Sequence, residues 1–179
     1  MHSLKTLSAI LVTLFFLSCS QSLDFDQIED YAVNPSIIAP LAYFTIDAAN
    51  FLAFGGVTEI SETSDFKVFE NSFFKQNLTK LDFEFEVSNQ FNRDFTMTIA
   101  LLDDNNNLIY EFNKININAN NLDIKQKEVI VFVVHQNIIN FTRVKFTLSL
   151  DDASIPILAS DLGDIEFKSA VIIYLEANL

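Results

Sequence analysis

The sequence predicts an all-β protein, an antiparallel β-sandwich of immunoglobulin-like or jelly-roll-like topology. Two observations favour this class. Apolar and polar residues alternate with a period of two through most of the chain after residue 36, and no segment has the 3.6-residue apolar period of a convincing amphipathic helix. The chain has 179 residues, of which 50% are hydrophobic, and this is enough for one domain with its own core.

The sandwich domain is predicted to span residues 37–179, with a first strand at Leu41–Ile46 directly after Pro40. The segment Phe51–Ser72 is interpreted as a long loop, because Gly55-Gly56 marks a turn and residues 58–65 are polar and acidic. A short strand and a helical turn both stay open for residues 66–74.

Three strands are predicted in the middle of the chain. Leu81, Phe83, Phe85 and Val87 alternate with polar residues that include Asp82, Glu84 and Glu86, and this pattern predicts a half-buried strand with an acidic outer face. Residues 95–101 and 108–112 alternate in the same way. Between them the turn-prone run Asp103–Asn107 predicts a hairpin, in which Asn and Asp tolerate the left-handed backbone conformation.

The apolar run Val129–Val134 (VIVFVV) is rich in β-branched residues and predicts a strand that is covered on both faces. Lys125, Lys127 and Glu128 precede it, and we expect these charges to discourage edge-to-edge association. Alternating residues at 144–150 and 165–175 predict the last two strands.

The first residues of the chain predict a signal peptide over residues 1–18. Lys5 gives a weakly positive start, and the apolar run Leu7–Leu17 follows it. As a helix this run would rise about 16 Å, roughly half of the hydrocarbon core of a bilayer. It therefore predicts an export signal helix rather than a membrane span.

The end of the apolar run, Phe16-Leu17-Ser18-Cys19, resembles the lipobox of bacterial envelope lipoproteins, specifically those of the Bacteroidota type. In that family a small residue precedes the cysteine that is acylated and becomes the first residue of the mature chain. Ser18 and Cys19 match the pattern, whereas Phe16 stands where Leu, Val or Ile is usual. The resemblance implies lipidation at Cys19, an outer-membrane anchor on a side that stays open, and an acidic tether over residues 19–36. Ordinary secretion is the alternative, because Ser18-Cys19-Ser20 also satisfies a small-x-small cleavage rule.

The composition excludes several classes of function. The chain has 24 Asp and Glu against 11 Lys and Arg, and its net charge of −13 argues against a nucleic-acid partner. One cysteine and two histidines argue against a disulfide framework, a cysteine-based zinc cluster or a His-rich metal site. No nucleophile elbow and no Gly-rich phosphate loop occur in the sequence. We therefore expect no enzymatic activity and no cofactor.

Four groups of polar residues are candidates for ligand binding, and each also has a structural explanation. Asp103–Asn107 is either a calcium loop or a hairpin turn, and the acidic pairs Asp151-Asp152 and Asp161/Asp164 either bind a cation or solvate loops. Glu84 and Glu86 are either a carboxylate pair or a solvated sheet face. His135 follows the VIVFVV run and is interpreted as a surface or turn residue.

The function that the sequence favours is a lipid-anchored, non-enzymatic β-sandwich that contacts another envelope protein. Docking is expected at a sheet edge or at the segment Phe51–Ser72, which carries Phe51, Leu52 and Phe54. The alternative is a surface module that binds carbohydrate or calcium. Sugar sites commonly stack aromatic rings on sugar faces, and this chain offers four Tyr and no Trp for that purpose.

Overall fold

The computed structural model describes residues 32–53 and 55–178, and the elements that it contains there are mostly strands. The residues Val33–Ala177 form one compact unit. The helices are α1 (Ala48–Ala53) and α2 (Ser72–Asn77), with 3-10 turns at Val68–Glu70 and Gln136–Asn140. The strands are β1 (Ala32–Val33), β2 (Ser36–Asp47), β3 (Glu59–Asp65), β4 (Leu78–Asn89), β5 (Phe95–Leu102), β6 (Leu108–Glu111), β7 (Ile115–Ile117), β8 (Ile124–Val131), β9 (Arg143–Leu150), β10 (Asp164–Leu175) and β11 (Ala177–Asn178).

Two antiparallel sheets form the unit Val33–Ala177, and they confirm the predicted β-sandwich. One sheet has the strand order β2-β10-β4-β8, and the other has the order β3-β9-β5-β6, with β7 also pairing with β5. The chain thus pairs its strands from the outside inward, β2 with β10, β3 with β9, β4 with β8, and β5 with β6 and β7. This nested pairing, rolled into two sheets, is the jelly-roll topology, so the structure decides between the two topologies that the sequence left open.

Phenylalanine rings fill the space between the sheets. The ring of Phe146 on β9 lies 5.1 Å from that of Phe167 on β10, and Phe85 on β4 lies 5.1 Å from Phe112. Burying one such side chain contributes about 2 kcal/mol relative to leaving it in water. The predicted alternation is confirmed on β4, β5, β9 and β10, where every second residue faces this core.

The interpretation of Phe51–Ser72 as a long loop is wrong. Glu59–Asp65 is the edge strand β3, paired along its whole length with β9. Only Ile60 of this strand is buried, because the strand lies at the edge of its sheet and its outer side faces solvent. A mostly polar sequence is therefore compatible with a strand at this position. Residues 66–74 are mainly helical, and Asn71 caps α2 by accepting a hydrogen bond from the Phe73 backbone N–H at 2.9 Å.

Phe51 is part of the core and not of a docking loop. Its side chain is fully buried, and its ring lies 5.9 Å from that of Phe95. Helix α1 directs this ring inward and leaves Leu52 38% exposed. Phe54, Cys19, the leader and residues 19–31 of the tether lie outside the described residues.

The prediction that Val129–Val134 is covered on both faces is also wrong. Strand β8 starts at Ile124 and ends at Val131 at the edge of its sheet, where β4 is its one neighbour. Val129 is 48% exposed and Val133 is 74% exposed, whereas Ile130 points into the core. Lys125 and Lys127 lie within this edge strand with their side chains exposed, where their charge opposes pairing with another chain.

Candidate functional site

In the part of the chain that the structure describes, the sandwich is open between the edge strands β2 and β3. Each of these strands has one neighbour in its sheet, β10 for β2 and β9 for β3. An edge strand leaves alternate N–H and C=O groups without a ladder partner. A cleft of about 480 Å³ lies between the two edges, a volume within the range of small ligand sites.

The floor of the cleft is apolar. Leu41, Ile46, Ile60 and Phe146 are buried side chains that line it, and Phe44 is partly exposed among them. The Phe44 ring stacks on Phe167 with 4.9 Å between the ring centroids and meets Phe146 edge-on at 5.8 Å. The core therefore holds the floor in place without a ligand.

Polar groups surround the mouth of the cleft and tie the two edges together. The Ser64 hydroxyl on β3 donates to the Leu41 carbonyl on β2 at 3.0 Å. Asn50 and Asp47 exchange backbone-to-side-chain hydrogen bonds at 2.8 and 3.1 Å, which fixes the start of α1 beside the cleft. Tyr43 is 67% exposed at the rim.

Glu62 is the one charged side chain among the described residues that line this cleft. It follows Ile60 by two positions and precedes Ser64 by two, so all three lie on the side of β3 that faces the other sheet. Among the described residues, no Lys, Arg or His nitrogen lies within 4.0 Å of its carboxylate. Sequence reasoning missed this residue because it assigned no strand here.

The opposite side of the sandwich is closed by polar contacts between β8 and the segment β6–β7. The Tyr110 hydroxyl donates to Glu128 Oε1 at 2.5 Å, and the Asn113 backbone and side-chain N–H groups donate to Oε2 at 3.2 Å each. Burial, together with the Glu128 carboxylate, raises the pKa of Tyr110 to about 12. His135 is exposed, and its ring contacts Tyr110 edge-on at 5.4 Å.

The acidic outer face predicted for β4 is partly neutralised by ion pairs. Glu84 and Glu86 are exposed, but Asp82 is only 3% exposed. Lys127 Nζ lies 2.9 Å and Lys80 Nζ 3.1 Å from its carboxylate oxygens. Burial alone would raise the pKa of Asp82, but the two ammonium groups outweigh it and the pKa is lowered.

Asp103 and Asp151, which the sequence also singled out, accept hydrogen bonds from other groups of the protein. Asp103 accepts hydrogen bonds from the Asn105 and Asn107 backbone N–H groups at 2.8 Å each, and Asn106 has the left-handed φ of 63° that the predicted hairpin turn requires. Asp151 accepts from the Thr96 hydroxyl at 2.7 Å. In the part of the chain that the structure describes, no three His, Cys, Asp or Glu side chains converge as a metal site would require.

Asp152 and Asp161 accept hydrogen bonds within their own loop, and Asp164 accepts through its backbone carbonyl from the residue directly after β4. Asp152 accepts from Ser154, and Asp161 accepts from the Leu158 backbone N–H at 2.9 Å. The Asp164 carbonyl accepts from the Gln90 backbone N–H at 2.9 Å where β10 begins. Neither helix within residues 32–53 and 55–178 is long and apolar enough to cross a bilayer.

Comparison with known proteins gives likeness at the level of the fold only. No protein-family model matches the chain, and no curated protein matches it. A candidate secreted protein from Parabacteroides distasonis aligns at 12% identity and a TM-score of 0.48, over 64% of this chain and 37% of that one. The VP2 subviral particle of infectious bursal disease virus aligns at 15% identity and a TM-score of 0.38, over 82% and 33%.

A third structure, the enzymatically active domain of tailspike protein 4 from bacteriophage CBA120, aligns at 15% identity and a TM-score of 0.36, over 89% of this chain and 21% of that one. The chain thus spans roughly a third or less of the length of these three proteins. All three TM-scores are below 0.5.

Proposed function

We propose that this chain is a lipid-anchored envelope protein whose jelly-roll domain acts through contacts with another protein and without catalysis. The observation that carries the location is the leader ending in Ser18-Cys19, which follows an apolar run too short to span a bilayer. Two or three acyl chains on one cysteine would hold the domain at a membrane firmly, whereas a single chain anchors only marginally.

Exposed sheet edges and apolar side chains support a protein partner. Ile38 on β2 is 70% exposed, and Val133 and Val134 after β8 are 74% and 69% exposed. Contiguous exposed apolar groups commonly mark protein interfaces, and unpaired edge strands can accept a strand from another chain. The non-enzymatic assignment rests on the sequence motifs and on the structural hydrogen bonds made by Tyr110, Asp103 and Asp151.

Replacing Cys19 with alanine is expected to abolish acylation, because the thiol is the group to which the lipid is attached in the family that the leader resembles. Cells grown with an alkyne-tagged fatty acid should label the wild-type protein and not Cys19→Ala. Ser20→Ala is the matched control, since it changes the next residue and leaves Ser18-Cys19 intact. Label that persists on Cys19→Ala would contradict the lipobox assignment, and an unlabelled wild type would favour ordinary secretion.

The protein-contact assignment predicts that the tagged full chain, purified from its own envelope in mild detergent, carries one partner in stoichiometric amount. Mass spectrometry of the eluate identifies the partner, and a tagged unrelated lipoprotein at the same expression level is the control. Recovery of the chain alone would count against a stable partner. The carbohydrate-binding alternative would then be tested on a glycan array.

A further inference from the structure

We infer that the cleft between β2 and β3 binds an extended segment of a partner protein that carries an apolar side chain and, two positions away on the same face, a basic one. This inference rests on the proposed function and names the surface and the chemistry of the contact. It draws on three independent features of the cleft, namely its backbone edges, its floor and its charge.

The backbone edges suit an added strand. β2 and β3 are antiparallel edge strands in different sheets, and each has hydrogen-bonding groups on the side that faces the cleft. On β2, Pro40 and the register shift opposite Ser169 and Ala170 interrupt a regular edge, and Ala42–Asp47 is the regular part that lies beside the cleft. An extended segment beside these residues gains main-chain hydrogen bonds, and its alternate side chains point into the cleft.

The floor suits an apolar side chain. Phe44, Ile60 and Phe146 give it a hydrophobic surface that is already packed from below, so a guest side chain needs no rearrangement of the core. Burying one aliphatic or aromatic side chain there removes apolar surface from water on both molecules. A sugar site needs an aromatic ring face that is free for stacking and several polar partners beside it. In this cleft one face of the Phe44 ring is already stacked on Phe167.

The charge suits a basic side chain. Glu62 stands at the mouth of the cleft, two residues from Ile60 on the same side of β3. The net charge of the chain, −13, draws a basic segment toward the domain, and Glu62 is placed to receive it beside the apolar floor. Two side chains at alternate positions of an extended segment are spaced to reach the floor and this carboxylate together.

Inward-pointing charges on edge strands also prevent aggregation. If this is the role of Glu62, its substitution is expected to have a different effect on peptide binding. If Glu62 only protects the edge, Glu62→Lys keeps the protection, since lysine is also charged, and no peptide of defined charge binds. If Glu62 receives a basic residue, reversing its charge reverses the charge preference of the peptide.

The test uses the full chain in detergent and a displayed library of random octapeptides. Selection is expected to enrich peptides that carry Lys or Arg two positions from an apolar residue, so that both side chains lie on one face of the extended peptide. For one selected peptide, fluorescence anisotropy should show that Glu62→Lys weakens binding about tenfold, and that exchanging the basic residue of the peptide for Glu restores binding to this variant. Glu59→Lys is the matched control, because it makes the same charge change on the same strand but on the outer side, beside Ser149.

The inference is overturned if no basic-apolar peptides are enriched, if Glu62→Lys and Glu59→Lys weaken binding equally, or if the cleft binds glycans in a Tyr43-dependent manner and no peptide. Purification of the Glu62→Lys chain from the envelope separates this inference from the proposed function. A stoichiometric partner that both wild type and Glu62→Lys retain equally would leave the proposed function standing and remove the cleft as its site. Loss of that partner from Glu62→Lys, but not from Glu59→Lys, would support both.

Discussion

Replacing Asn89 with aspartate is expected to destabilise the fold by about 3–5 kcal/mol at pH 7, although the two side chains have nearly the same shape. Asn89 is fully buried at the end of β4. Its side-chain N–H₂ donates to the Arg93 and Asn118 carbonyls at 2.8 and 2.9 Å, and its Oδ1 accepts from the Phe91 backbone N–H at 2.9 Å. A carboxylate oxygen in place of the nitrogen would face two carbonyl oxygens with no proton to donate.

The effect of this substitution should depend on pH. Burial and the two facing carbonyls raise the pKa of the introduced carboxyl above its unfolded value of about 3.9. Between those two pKa values the folded state holds more protons than the unfolded state, so the stability of the variant falls as pH rises. Below about pH 4 both states are protonated, and the deficit relative to wild type should be smallest there.

Urea unfolding followed by circular dichroism, at pH values from 4 to 8, measures this deficit. Circular dichroism is the suitable signal because the chain contains no Trp. Asn92→Asp is the matched control, since Asn92 is exposed in the same turn and its Oδ1 accepts from Asn120, which a carboxylate also does. We expect the control to stay within about 0.5 kcal/mol of wild type. Equal stability of Asn89→Asp and wild type at pH 7 would contradict the hydrogen bonds described for Asn89.

Replacing Gly163 with alanine is expected to cost more than about 3 kcal/mol, because two penalties act at one position. Gly163 has a φ of 112°, which side chains rarely adopt. A Cβ there would lie 2.7 Å from the carbonyl carbon of Gln90 and 2.8 Å from its oxygen. These are backbone atoms held by the hydrogen bond from Gln90 to Asp164, so they cannot move without disturbing the start of β10.

Gly56→Ala separates the two penalties. Gly56 also has a positive φ, 76°, but apart from its chain neighbours no atom of the described residues lies within 4 Å of the position that an added Cβ would take. Its substitution should therefore cost only the backbone strain, about 1–2 kcal/mol. Urea unfolding of both variants in parallel measures the difference. Equal losses at the two positions would mean that the close approach of Gly163 to Gln90 contributes nothing.

Local alternation was enough to predict the strands of the core. A strand buried on one face must repeat its apolar residues every two positions, and β4, β5, β9 and β10 carry that signal within their own residues. The turn at Asp103–Asn107 was equally local, since Asp103 binds the backbone only two and four residues ahead. The same reasoning failed at β3, where an edge strand that buries only Ile60 has almost no apolar pattern to detect.

The sequence by itself determined the sandwich class, the strands of its core and, as a prediction, the leader with Cys19, because these depend on residues that are adjacent in the chain. The tertiary structure decided the jelly-roll topology, the exposure of Val129 and Val133, and the cleft between β2 and β3. A run such as VIVFVV is identical whether its strand is central or at an edge. Only pairing between distant strands settles which neighbours it has, and the same pairing brings Phe44 and Glu62 to one cleft.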